Sequence, residues 1–395
     1  MSHMKHKFIL KLVSFLFLAT ALEAQEISKI EIQRLREHVE QLASPGFAGR
    51  NNGAPGGLRA RQYIIDHLRT AGLKPGNGTR WTQNLPAPLR GANILALLPG
   101  NDPELSREVI VVGAHYDHLG IRGGRLYPGA NDNAAGVAVV LETARVLAAS
   151  KKGLARSILF ASWDAEEDGL LGSAAFVEMP TLPRERIVAA VDMDLIGRDF
   201  LDLFPDKLFA IGTEHSDRVV EAVGRASQNC PLEVIPIGAD LIGPRCDFWN
   251  FRRRKIPVVF FTSGEHHDYH RTTDLPDRIR YPKLLEVARL VESTLRDLAG
   301  PGKTPRYRPG TYHPREADEL AKILRGILAQ TPMEWFERWT LTGAVARLER
   351  FSRQDRLSEA DRMTMRVLVG LTLLRQRYRD PPPQDQGKSH KTRRR

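Results

Sequence analysis

His115, the pair Glu166-Glu167 and Asp194 each stand at the end of a separate apolar run, while Asp132 and His270 lie in the loops between such runs. Imidazole and carboxylate are donors that zinc takes. His115, Asp132, Asp194, His270 and one of the pair Glu166-Glu167 would hold two zinc ions roughly 3.5–4 Å apart, bridged by one carboxylate and by a water whose pKa the metals lower toward neutrality. A further carboxylate left free beside that water would take its proton and later pass it to a leaving amine. Adjacent glutamates suit this division, one on the metal and one free. Asp117, two residues after His115, can accept the second imidazole N–H and so fix the tautomer. Each residue alone has an ordinary structural explanation, as a satisfied histidine, an exposed acidic turn or a helix cap. Their joint occurrence does not, because buried strand ends seldom all finish in charged groups with no metal or substrate to meet them.

The elements that must carry these residues are legible as alternating patterns. Residues 92–98, 108–114, 157–163, 187–193, 208–211 and 256–262 are short, β-branched-rich apolar runs, the pattern of strands buried on both faces. Between and around them, residues 27–42, 60–68, 136–149, 216–227 and 282–298 repeat apolar positions at helical spacing. Alternating strand, loop and helix predicts an α/β fold, a mixed, mostly parallel β-sheet sandwiched by helices. Open sheets of this kind keep their chemistry at the carboxyl ends of the strands, where His115 falls. Residues 300–314 contain four prolines and three glycines and read as a linker. Beyond them residues 316–379 are helical in pattern, with an apolar stripe whose default reading is core packing. The expected organisation is a leader over 1–24, a catalytic unit over 25–300, a linker over 301–314, a helical extension over 315–380 and a basic disordered tail over 381–395.

Composition excludes some classes. The chain has 395 residues, 42% hydrophobic and 27% charged, which is globular rather than disordered throughout. Its formal net charge of +11 invites a nucleic-acid reading, but the excess sits at the ends. Lys388, Lys391, Arg393, Arg394 and Arg395 face only Asp385 in the tail, and Lys5, Lys7 and Lys11 face only Glu23 in the leader. What remains is ordinary for solubility, and no nucleic acid is expected as a partner. Residues 1–24 combine those lysines with a short apolar stretch and small residues near Ala21 and Ala24, the pattern of a cleaved signal peptide. Export to the periplasm or the medium follows, with no stable membrane insertion after cleavage. Cys230 and Cys246 are too few for a cysteine metal site, and export predicts a disulfide between them.

Five ordered motifs carry a resemblance. They are Gly113-Ala114-His115-Tyr116-Asp117, Gly129-Ala130-Asn131-Asp132-Asn133-Ala134-Ala135-Gly136, Ala165-Glu166-Glu167-Asp168-Gly169-Leu170-Leu171-Gly172-Ser173, Asp192-Met193-Asp194-Leu195-Ile196-Gly197-Arg198 and Asp268-Tyr269-His270. The stretch from about residue 40 to residue 298 resembles the co-catalytic di-zinc aminopeptidases, a family that includes bacterial leucyl aminopeptidases, glutamate carboxypeptidases and glutaminyl cyclases. That resemblance implies the zinc-dependent exopeptidase (phosphorylase/hydrolase-like) fold. It also implies a metallo-aminopeptidase acting on peptides with a free N-terminus, with two zinc ions as cofactors. Asp132 would bridge the metals, His115 and Asp194 would complete one, and Glu167 and His270 the other. Glu166 matches the general base that activates the zinc-bridged water, Tyr269 a donor to the tetrahedral intermediate, and Asp117 the partner of His115. The Asp132–Asn133 peptide is cis in relatives. Cys246-Asp247 replaces the Ser-Asp of many members, and Arg245 before it matches an arginine that helps bind substrate in some. A carboxypeptidase, a glutaminyl cyclase and a metal-free receptor-like homologue remain as alternatives on the same fold.

Overall fold

Where the sequence offers apolar runs without a break, the chain forms strands buried on both sides. The computed structural model describes residues 29–150, 154–310, 315–354 and 357–377; the expected leader and the basic tail lie outside the described residues. The described strands are β1 (Lys74–Pro75), β2 (Thr82–Asn84), β3 (Ala92–Leu98), β4 (Val109–His115), β5 (Gly120–Arg122), β6 (Arg125–Tyr127), β7 (Ser157–Trp163), β8 (Ile187–Met193), β9 (Lys207–Ile211), β10 (Glu233–Ile237) and β11 (Val258–Thr262). Nine of them make one sheet in the order β1-β3-β7-β4-β8-β11-β9-β10, with β2 also on β3, and β5 and β6 form a separate hairpin. Its centre, β7-β4-β8-β11, is parallel throughout, while β3 pairs β7 and β9 pairs β11 antiparallel. The mixed sheet expected from the sequence is therefore parallel where it matters for the site.

Period-two alternation sends successive side chains of these strands into two different cores. Ile110 and Val112 of β4 enter one, Val109 and Val111 the other; Phe160 and Leu159 of β7 divide in the same way. The first core is closed by helices α1 (Ile32–Leu42), α2 (Pro55–Thr70), α3 (Ala135–Ala149), α5 (Asp217–Ser227) and α8 (Tyr281–Ala299), after α4 (Leu171–Glu178) has crossed to the opposite face. That opposite face also takes α6 (Ala239–Ile242) and α7 (Phe248–Arg253). The C-terminal helices α9 (Glu316–Gln330), α10 (Trp335–Phe351) and α11 (Glu359–Arg377) pack there too, through Ala321, Leu324, Leu348 and Met365. Residues 301–310 run between them without regular structure.

The two cores correct the disulfide expectation. Both cysteines are free: Cys230 packs against the first core, whereas Cys246 is buried in the second. With the sheet between them, their Cα atoms cannot approach to the roughly 4.4–6.8 Å a disulfide requires.

Candidate metal centre

Parallel pairing of β7, β4 and β8 brings three strand ends to one edge, so Trp163 and His115 lie side by side and Met193 and Asp194 follow next to them. β11 joins the same edge and leads into the loop that bears Tyr269 and His270. Asp132 arrives from the irregular turn Ala130–Ala134 ahead of α3, its Asp132–Asn133 peptide cis, as the resemblance implies. The five residues named as ligands therefore converge.

Asp132 sits at the middle, and its two oxygens face opposite ways. Oδ1 lies 3.3 Å from His115 Nε2, which is itself 3.5 Å from Asp194 Oδ1. On the other side, His270 Nε2 is 3.1 Å from Asp132 Oδ2 and 3.1 Å from Glu167 Oε2. His115 Nε2, Asp132 Oδ2 and Asp194 Oδ1 are buried, yet none makes an aligned hydrogen bond to protein. Orphaned donors and acceptors of this kind are costly unless something binds them, and a divalent cation on each side of Asp132 would do so. Charge balance agrees. Burial by itself would push the His270 imidazole down, but Asp132 and Glu167 more than offset it and hold it up at about 10. Burial pushes the Asp194 carboxyl up to about 6 even though His115 opposes it. Carboxylates thus outnumber the protein's own cations here, an imbalance that a metal dication removes.

Glu166 and Glu167 diverge because the turn that carries them is fixed at both ends. Ala165 and Leu170 take left-handed φ of 55° and 62°. Between them the Glu166 and Glu167 N–H groups donate to Asp117 Oδ1 and Oδ2 at 3.1 and 3.3 Å. This revises the expectation for Asp117. Its carboxylate is occupied by those two amides and stands 3.7 Å from His115 Nδ1, whose nearer partner is the Asp117 backbone carbonyl at 3.2 Å. Asp117 therefore orients the glutamates through its side chain and His115 through its main chain. A Glu166 oxygen lies within 4.8 Å of donor atoms of Asp194 and Cys246, on the His115 side. Burial raises the Glu166 carboxyl well above its ordinary range, and Asp247, Asp194 and Glu167 add to this against the pull of His115. Tyr269 stacks on His270 with ring centroids 4.0 Å apart. Its phenol is held protonated, first by burial and then by Asp132, Asp194 and Glu167.

Three residues that hold the site were not singled out from the sequence. His118 Nδ1 lies 2.7 Å from Glu167 Oε1, which turns Glu167 Oε2 toward His270. Asp274, fully buried, accepts the Asn131 N–H at 3.0 Å and the Asp132 N–H at 3.1 Å. Arg50, also fully buried, donates to the carbonyls of Leu42, Tyr116, Pro128 and Gly129 at 2.7–2.8 Å and reaches that of Asp132 at 3.4 Å. These five carbonyls take all five of the guanidinium's N–H groups, and burial presses its pKa down to about 10 despite Asp132 and Asp274. Gly129 is required where this clamp closes: its φ is 60° and a Cβ there would lie 2.5 Å from the His118 ring. The only local signal for His118 was its place three residues after His115; Arg50 and Asp274 had none. His266 is buried and accepts the Asp268 N–H at 3.2 Å, a loop role rather than a ligand's. Arg245 pairs with Glu265 beside the site.

The pattern of peptidase family M28 matches residues 93–295. Leupeptin-inactivating enzyme 1 of Streptomyces exfoliatus is 32% identical over 252 residues, which cover 62% of this chain and 51% of that protein. This chain thus spans about half the length of that relative. Leucine aminopeptidase 1 of Leptosphaeria maculans is 28% identical over 291 residues, 69% of this chain and 72% of the relative. Among solved structures, the LapA aminopeptidase of Legionella pneumophila superposes with a TM-score of 0.57 at 20% identity, covering 69% of this chain and 73% of that one. The glutaminyl cyclase of Porphyromonas gingivalis gives 0.55 at 19%, covering 68% and 98%. At such identities the superpositions speak for the fold alone.

Proposed function

The chain belongs to peptidase family M28, and on that premise we propose that it is a zinc-dependent aminopeptidase holding two co-catalytic ions and removing N-terminal residues from peptides. One observation carries the proposal: Asp132 divides its two oxygens between the His115–Asp194 side and the His270–Glu167 side. A single tetrahedral ion does not use five protein donors arranged about a shared carboxylate.

His115, Asp132 and Asp194 would hold one zinc, and Asp132, Glu167 and His270 the other. Zinc, when bound, polarises a carbonyl and acidifies water. Glu166 supplies the proton shuttle: its carboxyl, with a raised affinity for protons, takes one from the attacking water and returns it to the departing amine. Asp117 keeps that carboxyl and Glu167 pointing to different sides through the two amide hydrogen bonds. Tyr269, protonated and stacked on His270, donates its hydroxyl to the oxygen that gains charge during attack. The Pro/Gly segment 301–314 separates this catalytic unit from the helical extension. The proposal includes export, supported by the charge and apolar pattern of residues 1–24.

Metal content and turnover of Glu166→Gln and Glu167→Ala test the assignment on aminoacyl-p-nitroanilides, N-blocked peptides and C-terminal substrates. Glu166→Gln is expected to keep two zinc equivalents and lose most turnover, and Glu167→Ala to lose metal as well. One tight equivalent in the wild type, equal metal loss in both variants, or a preference for blocked or C-terminal substrates overturns it.

A further inference from the structure

The apolar residues of the C-terminal extension, expected from sequence to serve packing, do not all turn inward. Ala344, Val345, Leu348 and Phe351 of α10 are buried in the second core, and Leu348 also borders an apolar cavity beside Asp194. Arg362 of α11 clamps the extension by pairing with Glu316 of α9 and with Asp240 of α6. The first half of α10 is different, because residues 335–343 include no buried side chain. Trp335, Phe336 and Trp339 are 79%, 53% and 74% exposed, and among the described residues they are the exposed tryptophans and phenylalanine. Single exposed apolar residues are ordinary on a protein surface. Three large aromatics on two turns of one helix make a contiguous patch, which marks an interaction site.

The charges around the patch identify what it meets. At about 100° per residue, Trp335, Trp339, Gly343, Ala346 and Arg350 fall on one ridge of α10, with Phe336 and Arg347 beside it. No carboxylate lies on that ridge. Glu334 and Glu337 are taken up in the capping box that starts the helix, and Glu349 pairs with Arg325 of α9. Arg338, Arg347 and Arg350 are exposed, so the outward face is aromatic toward one end and cationic toward the other. A second copy of the chain suits this face poorly, since contact through it would bury the arginines of both copies with no carboxylate to meet them. An anionic phospholipid surface offers head groups to the guanidinium ions and an apolar layer to the rings, and indoles settle at that boundary.

We propose that the outward face of α10 is a membrane-surface site, through which the exposed half of the helix rests in the head-group region of a bilayer containing anionic phospholipid. The helix lies on the bilayer and does not cross it; no helix among the described residues is long and apolar enough to span one. Because α10 is already capped and packed against the second core, docking requires no helix formation at the surface. The site is separate from the metal centre and does not depend on the peptidase reading.

The test sediments the full chain with vesicles of phosphatidylcholine plus phosphatidylglycerol, and with vesicles of phosphatidylcholine alone. Binding is expected to the anionic vesicles, to weaken as salt is raised, and to bring quenching of tryptophan emission by brominated lipid. Trp335→Ala combined with Trp339→Ala is expected to weaken partitioning by roughly tenfold or more and to abolish most of the quenching. The urea midpoint should stay unchanged, because both rings are exposed. Replacing Arg338, Arg347 and Arg350 with glutamine is expected to weaken partitioning by about fivefold for each arginine removed. Lys388, Lys391, Arg393, Arg394 and Arg395 remain in every variant, so binding carried by that basic run alone would leave the tryptophan variant equal to wild type. That result overturns the proposal, as does equal binding to both kinds of vesicle or no binding to the anionic ones. A lipid-free dimer at sedimentation equilibrium that the two tryptophan substitutions dissociate also overturns it, by making the face a contact between copies.

Discussion

Replacing Asp274 with alanine isolates the device that holds the Asp132 turn. The Asp274 carboxylate is fully buried and accepts two main-chain N–H groups, those of Asn131 and Asp132, at 3.0 and 3.1 Å. In Asp274→Ala both amides lose their acceptor inside the protein, at about 1–3 kcal/mol each. Relief from burying a carboxylate, whose proton affinity is already raised by that burial, offsets part of the loss. The expected destabilisation is roughly 2–4 kcal/mol. Asp132 then sits on a looser turn, so zinc affinity should also fall, by about 10- to 100-fold, as for other partners that orient ligands from behind. Urea unfolding followed by tryptophan fluorescence reads the first quantity, and competition with a chelator reads the second. Asp274→Asn, which keeps the shape and one acceptor oxygen, should lie between wild type and alanine in both. An Asp274→Ala protein within about 0.5 kcal/mol of wild type, a change typical of a neutral surface substitution, with unaltered zinc affinity, refutes the reasoning.

Tyr269→Phe is expected to lower kcat by roughly 100- to 1,000-fold with KM nearly constant, because only the hydroxyl's contact with the developing oxyanion is lost; wild-type kcat in steady-state assays removes that role. Burial pushes the Glu142 carboxyl up, but His38 and Arg145 overcome this and hold it down at about 2, against an ordinary 4.5. The pairing therefore stabilises the native state fully above pH 4.5, and its contribution, at most about 3 kcal/mol, disappears as the pH falls toward 2. Metal-free wild type should lose stability more steeply than Glu142→Gln across that window, and parallel urea-midpoint profiles would contradict the pairing. Arg362→Leu leaves the Glu316 carboxylate buried without its guanidinium and should loosen the extension by about 3–5 kcal/mol. Proteolytic nicking within residues 301–310 should accelerate accordingly, and an unchanged half-life argues against the clamp.

The central strands were readable from sequence because their signal is local. β3, β7 and β8 begin and end where the apolar runs do, and β4 differs by one residue at each end, since burial on both faces demands an unbroken run. The charged residues that follow those runs supplied the candidate ligands, and parallel strand ends had to share an edge. β10 escaped notice because Pro236 interrupts its pattern, which an edge strand tolerates through its unpaired side. Arg50, His118 and Asp274 could not be assigned from local pattern, because what makes them important is the identity of partners 8 to 143 residues away in the chain. The same holds for Cys230 and Cys246, which export alone would pair and which the sheet separates. For the extension, periodicity over residues 316–379 predicted helices with an apolar stripe, and α9, α10 and α11 are helices. Which surface that stripe meets, and that it leaves a cavity beside Asp194, was decided by the buried pairing of Arg362 with Glu316 and Asp240, a contact between segments whose one-dimensional patterns carry no trace of each other.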